Sequence, residues 1–513
     1  MALTIDEEPD VPKPTERSYY IVALFLLPFQ LVSAISWACL AYSLVWGNVW
    51  SWKFALAACE AIFSVYHWHL SRLASQPWRH GTGSLAQLQL SYNRVLQCGL
   101  ANLPEDGSES HRPASPTYPI TQLEWDDPRA VDFRHTLRTW FNRVPFSAIR
   151  RFEVRQWLYW SIFAKDLPET MPPGHQAIID DSLRRLEMRV GGKIPEGSNP
   201  NAPPMRVTLD EVQISTRPLF LYALIFAVNW CLQKYYGIRY GLKYGSYQDL
   251  EYLLYIPNGW DINTGPQPTI FFHGLGLGLL QYHPLLMDLR HHFKDRPLLF
   301  PLQPHISQNI FHSKFLDPPS RRDLADLFAG LLHQLGWVDL SSTDEDLSRD
   351  ASRSRTVTVL SHSNGSYMHT WCVKAYPELI SRSCFVDPVS LCLWEGDLPH
   401  NFLYQPPTHG VGLIVRYFVG RELGTAAQLY RNFDWSSNEL WFEDIPNAQD
   451  PTKTFFLLGG NDAIVNSPRV RKYLSSHGVH KGLWYDEMAQ HGDALLRGTK
   501  GHAMVLDWLK HNY

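Results

Sequence analysis

The first apolar stretch of the chain, residues 19–46, carries no charge and is long enough to cross a hydrocarbon core of about 30 Å. Pro28 and Gln30 interrupt it and predict a kink. The polar, acidic and Pro-containing residues 1–18 before it are expected to be disordered. A second apolar stretch, residues 54–70, is a less apolar candidate span, because it contains Glu60, His67 and His69. Residues 85–215 read as a helical region. Apolar positions recur at helical spacing over 132–163 and 176–190, and segments rich in Pro, Gly, Ser and Asn break the pattern at 103–119 and 191–204. A third apolar run, residues 219–232, is short for a span. It is expected to be a core helix or one lying in a membrane interface.

From Ile238 onward the pattern changes. Short apolar runs at 251–256, 269–273, 297–302, 356–360, 383–386, 454–458 and 482–485 read as strands. Residues 284–292 and 321–335 read as helices, with Pro284 in a first helical turn. Strands alternating with helices predict an α/β domain over 238–513. Its sheet should be doubly wound and mostly parallel, with helices on both faces. Residues 341–355 are polar and charged, a solvated insertion. Residues 390–450 are apolar and irregular, as suits a lid over a pocket. Trp394, Phe402, Tyr404, Trp435 and Trp441 are expected to line its mouth.

Charge and composition narrow the class. A net charge of -4 gives no basic field for a nucleic acid. The 19 tryptophans fit a membrane-associated chain that handles apolar material, and Trp46, Trp50, Trp52, Trp68 and Trp78 mark interface levels. Lys13 and Arg17 precede the first candidate span, Arg72 and Arg79 follow the second, and Lys53 lies between. Positive charge concentrates on cytosolic flanks, so two spans would form a hairpin with both outer flanks in the cytosol. A single span leaves the orientation open. The seven cysteines form no CxxC pair and no disulfide framework, which predicts a reducing compartment.

The stretch 356–367, TVTVLSHSNGSY, places a buried-strand pattern directly before a helical one, with Ser363 at the corner. Such a corner lifts a hydroxyl clear of the sheet and aims the first amides of the helix at whatever it attacks. Small residues must flank it, and Gly365 and Ser361 do. A serine nucleophile needs a base, a carboxylate to hold that base, and donors for the oxyanion. In a doubly wound sheet these follow in the order Ser, acid, His. Asp462, after the glycine turn FFLLGGND, fits the acid, and His491, beyond LWYD, fits the base. Asp387, also just past a strand, is the alternative acid. The run FFHGLG, with His273, Gly274 and Gly276, fits an oxyanion loop, and the amides of Leu275 and Asn364 are the expected donors.

With FFHGLG, SHSNGS, GGNDAIV and a terminal His491, residues 238–513 resemble the α/β-hydrolase superfamily, and the full chain resembles membrane-anchored fungal hydrolases. The resemblance implies a serine hydrolase with a Ser363–His491–Asp462 triad, and no particular substrate, because this fold hosts many chemistries. The expected partners are an apolar ester or lipid and a membrane. A catalytically silent membrane interaction protein, and an acyltransferase using the same triad, are the rival readings. His312 and Asp317 match the His-x4-Asp spacing of membrane acyltransferases, a pattern that 22 histidines produce by chance. His67 with His69, and His291 with His292, lack acidic or thiol partners, so no metal is expected. The glycines at 274, 276 and 278 lack nucleotide-loop spacing, and no cofactor is expected.

Overall fold

The computed structural model describes residues 4–47, 49–77, 83–98, 119–340 and 355–511. The strands β1 (Lys243–Tyr247), β2 (Leu250–Tyr255), β3 (Thr269–Phe272), β4 (Leu298–Leu302), β5 (Val357–His362), β6 (Ile380–Val386), β7 (Thr454–Gly459) and β8 (Leu483–Asp486) form one sheet. Their spatial order is β1-β2-β4-β3-β5-β6-β7-β8. Strand β2 pairs antiparallel with β1 and β4, and all later neighbours pair in parallel. This order and these directions define the α/β-hydrolase fold.

Strands β5 and β7 are buried at every position, as parallel strands covered on both faces must be. Alternate residues serve opposite faces. Phe456 and Leu458 join one apolar cluster, and Phe455 and Leu457 join the other. Strand β1 is absent from the sequence-based expectation. It is an edge strand, KYGSY, largely exposed, so it carries no apolar alternation to read.

Nine α-helices precede β5 among the described residues: α1 (Arg17–Val45), α2 (Trp52–Ala74), α3 (Leu85–Gln97), α4 (Pro128–Leu137), α5 (Arg151–Phe163), α6 (His175–Val190), α7 (Leu219–Tyr240), α8 (Leu279–His292) and α9 (Arg321–Gln334). Helices α1 and α2 pack together as a hairpin, joined by Ser33 Oγ donating to Glu60 at 3.2 Å and Trp37 Nε1 donating to Ser64 at 3.0 Å. Among the described helices only α1 is long and apolar enough to cross a membrane, by length and composition. Helix α2 turns Phe63 and Ala74 onto Tyr222, Phe315 and Leu423, and its Glu60 accepts the Leu219 N–H at 2.8 Å. Trp50, at the hairpin tip, is 97% exposed. Trp78 and Arg79 lie outside the described residues.

Three expectations are corrected. The N-terminal segment is not free: Asp6 is buried and meets the Arg134 guanidinium at 2.5 Å, and Glu7 accepts from Ser147 Oγ at 2.6 Å. Two of the acidic residues that suggested disorder, Asp6 and Glu7, find a basic and a hydroxyl partner. The third apolar run continues through Tyr240, because Tyr236 packs against the sheet-side core; Gly241, with φ 71°, ends the helix. It is not a fully buried core helix: Tyr222 and Tyr236 are buried while Phe220, Leu224, Phe226 and Trp230 are exposed. Helix α8 begins at Leu279, which leaves Pro284 inside it rather than in its first turn. The break expected at 103–119 and the insertion expected at 341–355 fall almost wholly outside the described residues.

The helical region α3–α6 shares the core of the sheet. Trp140, Trp157 and Leu186 belong to the same cluster as Ile270 and Val359. Arg469, on the helix after β7, bridges Asp132 of α4 at 2.7 Å and Glu395 at 2.6 Å. Trp140 Nε1 donates to the Trp394 carbonyl at 2.8 Å.

Candidate active site

Strand β5 delivers Ser363 at φ 51°, a left-handed conformation rare for a residue with a Cβ. The Ser363 N–H donates to the Val386 carbonyl of the neighbouring strand at 3.1 Å, which locks the corner. The helix Gly365–Ala375 starts two residues later. A Cβ at Gly365 would lie 2.2 Å from the Phe272 carbonyl oxygen, so only glycine lets this helix approach β3. Position 361 tolerates its serine for a local reason. Its Oγ hydrogen-bonds His369 Nδ1 at 2.9 Å, and His369 Nε2 reaches Ser383 Oγ at 3.1 Å, all buried.

The loop after β7 brings Asp462, and the loop after β8 brings His491. His491 Nε2 lies 2.8 Å from Ser363 Oγ, and His491 Nδ1 lies 2.6 Å from Asp462 Oδ2. The other oxygen of Asp462 accepts the N–H groups of Ile464 at 2.7 Å and Val465 at 3.0 Å, which fixes the carboxylate's plane. Burial works to lower the His491 pKa, but the Asp462 charge and hydrogen bond, helped by Asp387, outweigh it and raise the value to about 9.

Asp387 is fully buried, and its described hydrogen bonds go to backbone amides rather than to the imidazole. Its oxygens accept the Gly459 N–H at 2.8 Å and the Gly492 N–H at 2.7 Å. It therefore ties the strand that carries the acid to the loop that carries the histidine. Burial raises its pKa to about 6, against the His491 charge and the two amide donors. Asp387, Asp462 and His491 offer donor atoms within 4.8 Å of one another, yet these donors are already committed to the hydrogen bonds just given.

The loop of residues 273–276, the expected oxyanion loop, lies beside the corner. The Gly274 N–H donates to the Tyr282 hydroxyl at 2.9 Å and the Gly276 N–H to the Ile306 carbonyl at 3.0 Å. The amide between them, Leu275, and the amide of Asn364 have no acceptor among the described hydrogen bonds. His273 is buried with its Nδ1 2.9 Å from the Gly274 carbonyl oxygen, and burial lowers its pKa. His273 thus supports the loop from behind.

Leu275, Ser363, Asn364 and His491 lie on the wall of a cavity of about 330 Å³. Its remaining wall is mostly apolar and includes Leu285 from α8, Phe402, Leu403, Val415, Val419 and Leu429 from the segment between β6 and β7, and Leu495. Of the five aromatic residues expected at its mouth, only Phe402 lines it. Trp394 stacks on Trp441 at 5.0 Å, Trp435 Nε1 donates to the Ser161 carbonyl at 2.9 Å, and the Tyr404 hydroxyl donates to Asp210 at 2.5 Å. Those four complete the packing of the insertion on the helical region, and aliphatic residues with Phe402 and Phe433 face the cavity. His312 lies 3.3 Å from Glu251, and Asp317 faces Lys314, so that pair is not part of the site. Two residues at the site escape sequence reasoning, His362 and Tyr282. The helical spacing of Leu279, Tyr282 and Leu286 after Gly278 is the signal that could have placed Tyr282 facing the sheet.

No protein-family model and no curated protein matches the chain. Solved structures do. A carboxylesterase from Bacillus subtilis is 11% identical, with a TM-score of 0.34, and the match covers 57% of this chain and 99% of its own. A membrane phospholipase A described as a bacterial virulence factor is 15% identical, with a TM-score of 0.34, over 57% of this chain and 94% of its own. An α/β hydrolase from a sediment metagenome of the Mar Chica lagoon, Morocco, is 16% identical, with a TM-score of 0.30, over 52% of this chain and 97% of its own. The fold assignment rests on the strand order and register given above rather than on these scores.

Proposed function

We propose that the protein is a membrane-anchored serine hydrolase that cleaves carboxylic esters of lipids or other apolar acyl compounds. The observation that carries this reading is the unbroken relay from Asp462 through His491 to Ser363, set in the wall of a largely apolar cavity. Ser363 Oγ attacks the ester carbonyl as His491 Nε2 accepts its proton. Asp462 holds the tautomer with Nδ1–H and stabilises the imidazolium. The carbonyl oxygen gains charge against the amides of Leu275 and Asn364. The tetrahedral adduct collapses, the alcohol leaves with the proton from His491, and an acyl-enzyme remains. Water, deprotonated by His491, then releases the acid.

The test is labelling of the full chain by a fluorophosphonate probe. Labelling that vanishes in Ser363→Ala supports the reading, and an unlabelled wild type would favour the silent interaction protein. A panel of esters of rising chain length then ranks the acyl group.

Helix α1 and the exposed tryptophans of the hairpin support the membrane anchor. The seven free cysteines and the flanking basic residues support a cytosolic catalytic domain. A glycosylation acceptor fused to the C-terminus checks this: it stays unmodified in a membrane expression system if the domain is cytosolic, and efficient modification refutes it.

A further inference from the structure

An oxyanion donor is useful only if it is aimed before the charge develops. Leu275 lies in a loop, and its reach toward Ser363 depends on what holds its neighbours. Gly276 is held by the Ile306 carbonyl, on the far side of the loop. Gly274 is held by a side chain instead, the Tyr282 hydroxyl, at 2.9 Å. The same hydroxyl lies 2.7 Å from His362 Nδ1, and His362 immediately precedes the nucleophile. Gln281 Nε2 also donates to it, at 3.3 Å.

The donors and acceptors around the Tyr282 hydroxyl pair in one way. The Gly274 N–H and the Gln281 amide can only donate, so the phenol accepts from both and gives its single proton to His362 Nδ1. Burial pushes the Tyr282 phenol up, so that proton stays in place. Burial, together with the nearby His491 and His273, lowers the His362 pKa well below its ordinary value, so the ring is neutral. The fit is close: a Cβ on Gly274 would lie 2.9 Å from the Tyr282 hydroxyl and 3.0 Å from Ser363 Cβ.

We propose that Tyr282 and His362 are positioning residues that clamp the oxyanion loop to the nucleophile corner, and so set the distance from the Leu275 amide to the carbon that Ser363 attacks. The inference rests on the serine-hydrolase reading. Neither residue needs to touch the reacting atoms; the clamp acts through Gly274 on one side and through the backbone of His362 on the other.

The experiment uses the full-length chain in detergent, with a short p-nitrophenyl ester as substrate and an alkyl boronic acid as mimic of the tetrahedral adduct. Tyr282→Phe keeps the ring and removes the hydroxyl. It is expected to lower kcat about ten- to a hundredfold, to change KM by less than about twofold, and to weaken boronate binding in proportion to kcat. His362→Asn, whose Oδ1 can accept the phenol proton, is expected to lose several-fold less than His362→Leu. This pair keeps the clamp testable should Tyr282→Phe fold poorly. Wild-type kcat in Tyr282→Phe, a loss carried by KM with boronate affinity unchanged, or equal losses in the two His362 variants would each overturn the clamp. Turnover that persists in Ser363→Ala would instead overturn the underlying reading, so the two failures are distinguishable.

Discussion

Strands β6 and β7 lie side by side, and each delivers a buried aspartate to the same end of the sheet. Asp387 stands one residue past β6, and its own N–H still pairs with Leu457 of β7 at 2.9 Å. Asp462 stands three residues past β7, beyond Gly460 and Asn461. The shorter tether keeps the Asp387 carboxylate among backbone amides. The longer one lets Asp462 reach the imidazole. Two carboxylates of one type and similar burial thus hold different partners because of how far the chain runs on before each appears.

The difference can be broken by substitution. Ser363→Ala and His491→Ala are expected to reduce kcat/KM by about 10⁵- to 10⁶-fold on a soluble ester, with unchanged circular dichroism. Asp462→Asn should cost about 10⁴-fold, because the amide favours the wrong imidazole tautomer. Asp387→Asn should cost only about ten- to a hundredfold, through displacement of the Gly492 loop rather than loss of a proton partner. Larger losses in Asp387→Asn than in Asp462→Asn would reverse the assignment of roles.

The pH profile sharpens the contrast by the smallest effect. The base must be neutral to accept the serine proton. With its pKa raised to about 9, His491 is largely protonated near neutrality, so kcat/KM should climb with pH and level off above that value. Asp387 contributes to the rise, so Asp387→Asn should move the limb to lower pH. A limb that stays put, measured on a soluble ester across the alkaline range, would remove Asp387 from the electrostatics of the base.

The parts of this site that can be read from sequence are those built by adjacent residues. The strand before Ser363, the glycine turn before Asp462 and the histidine after β8 each announce themselves locally, and their order in the chain supplies the rest. What escapes is decided by contacts between distant residues. Tyr282 meets His362 across 80 positions, and nothing near either residue marks the partner. The aromatic residues of 390–450 look like a pocket wall by composition alone. Their actual surroundings, Ser161 and Asp210, come from the helical region more than 190 positions away. Acidic residues at the N-terminus suggest disorder only while Arg134 is out of view.

That last contact bears on how the chain is threaded. Asp6 lies before helix α1 and Arg134 lies beyond α2, and the two are buried together. Ser75, at the end of α2, also accepts from Arg431 of the same body at 3.2 Å. A bilayer crossed once by α1 would separate Asp6 from Arg134. Asp6 and Arg134 share one side, so any crossings made between them would have to come in return pairs. During synthesis α1 emerges well before Arg134 exists, so Asp6 stays without this partner until the helical region arrives to receive it.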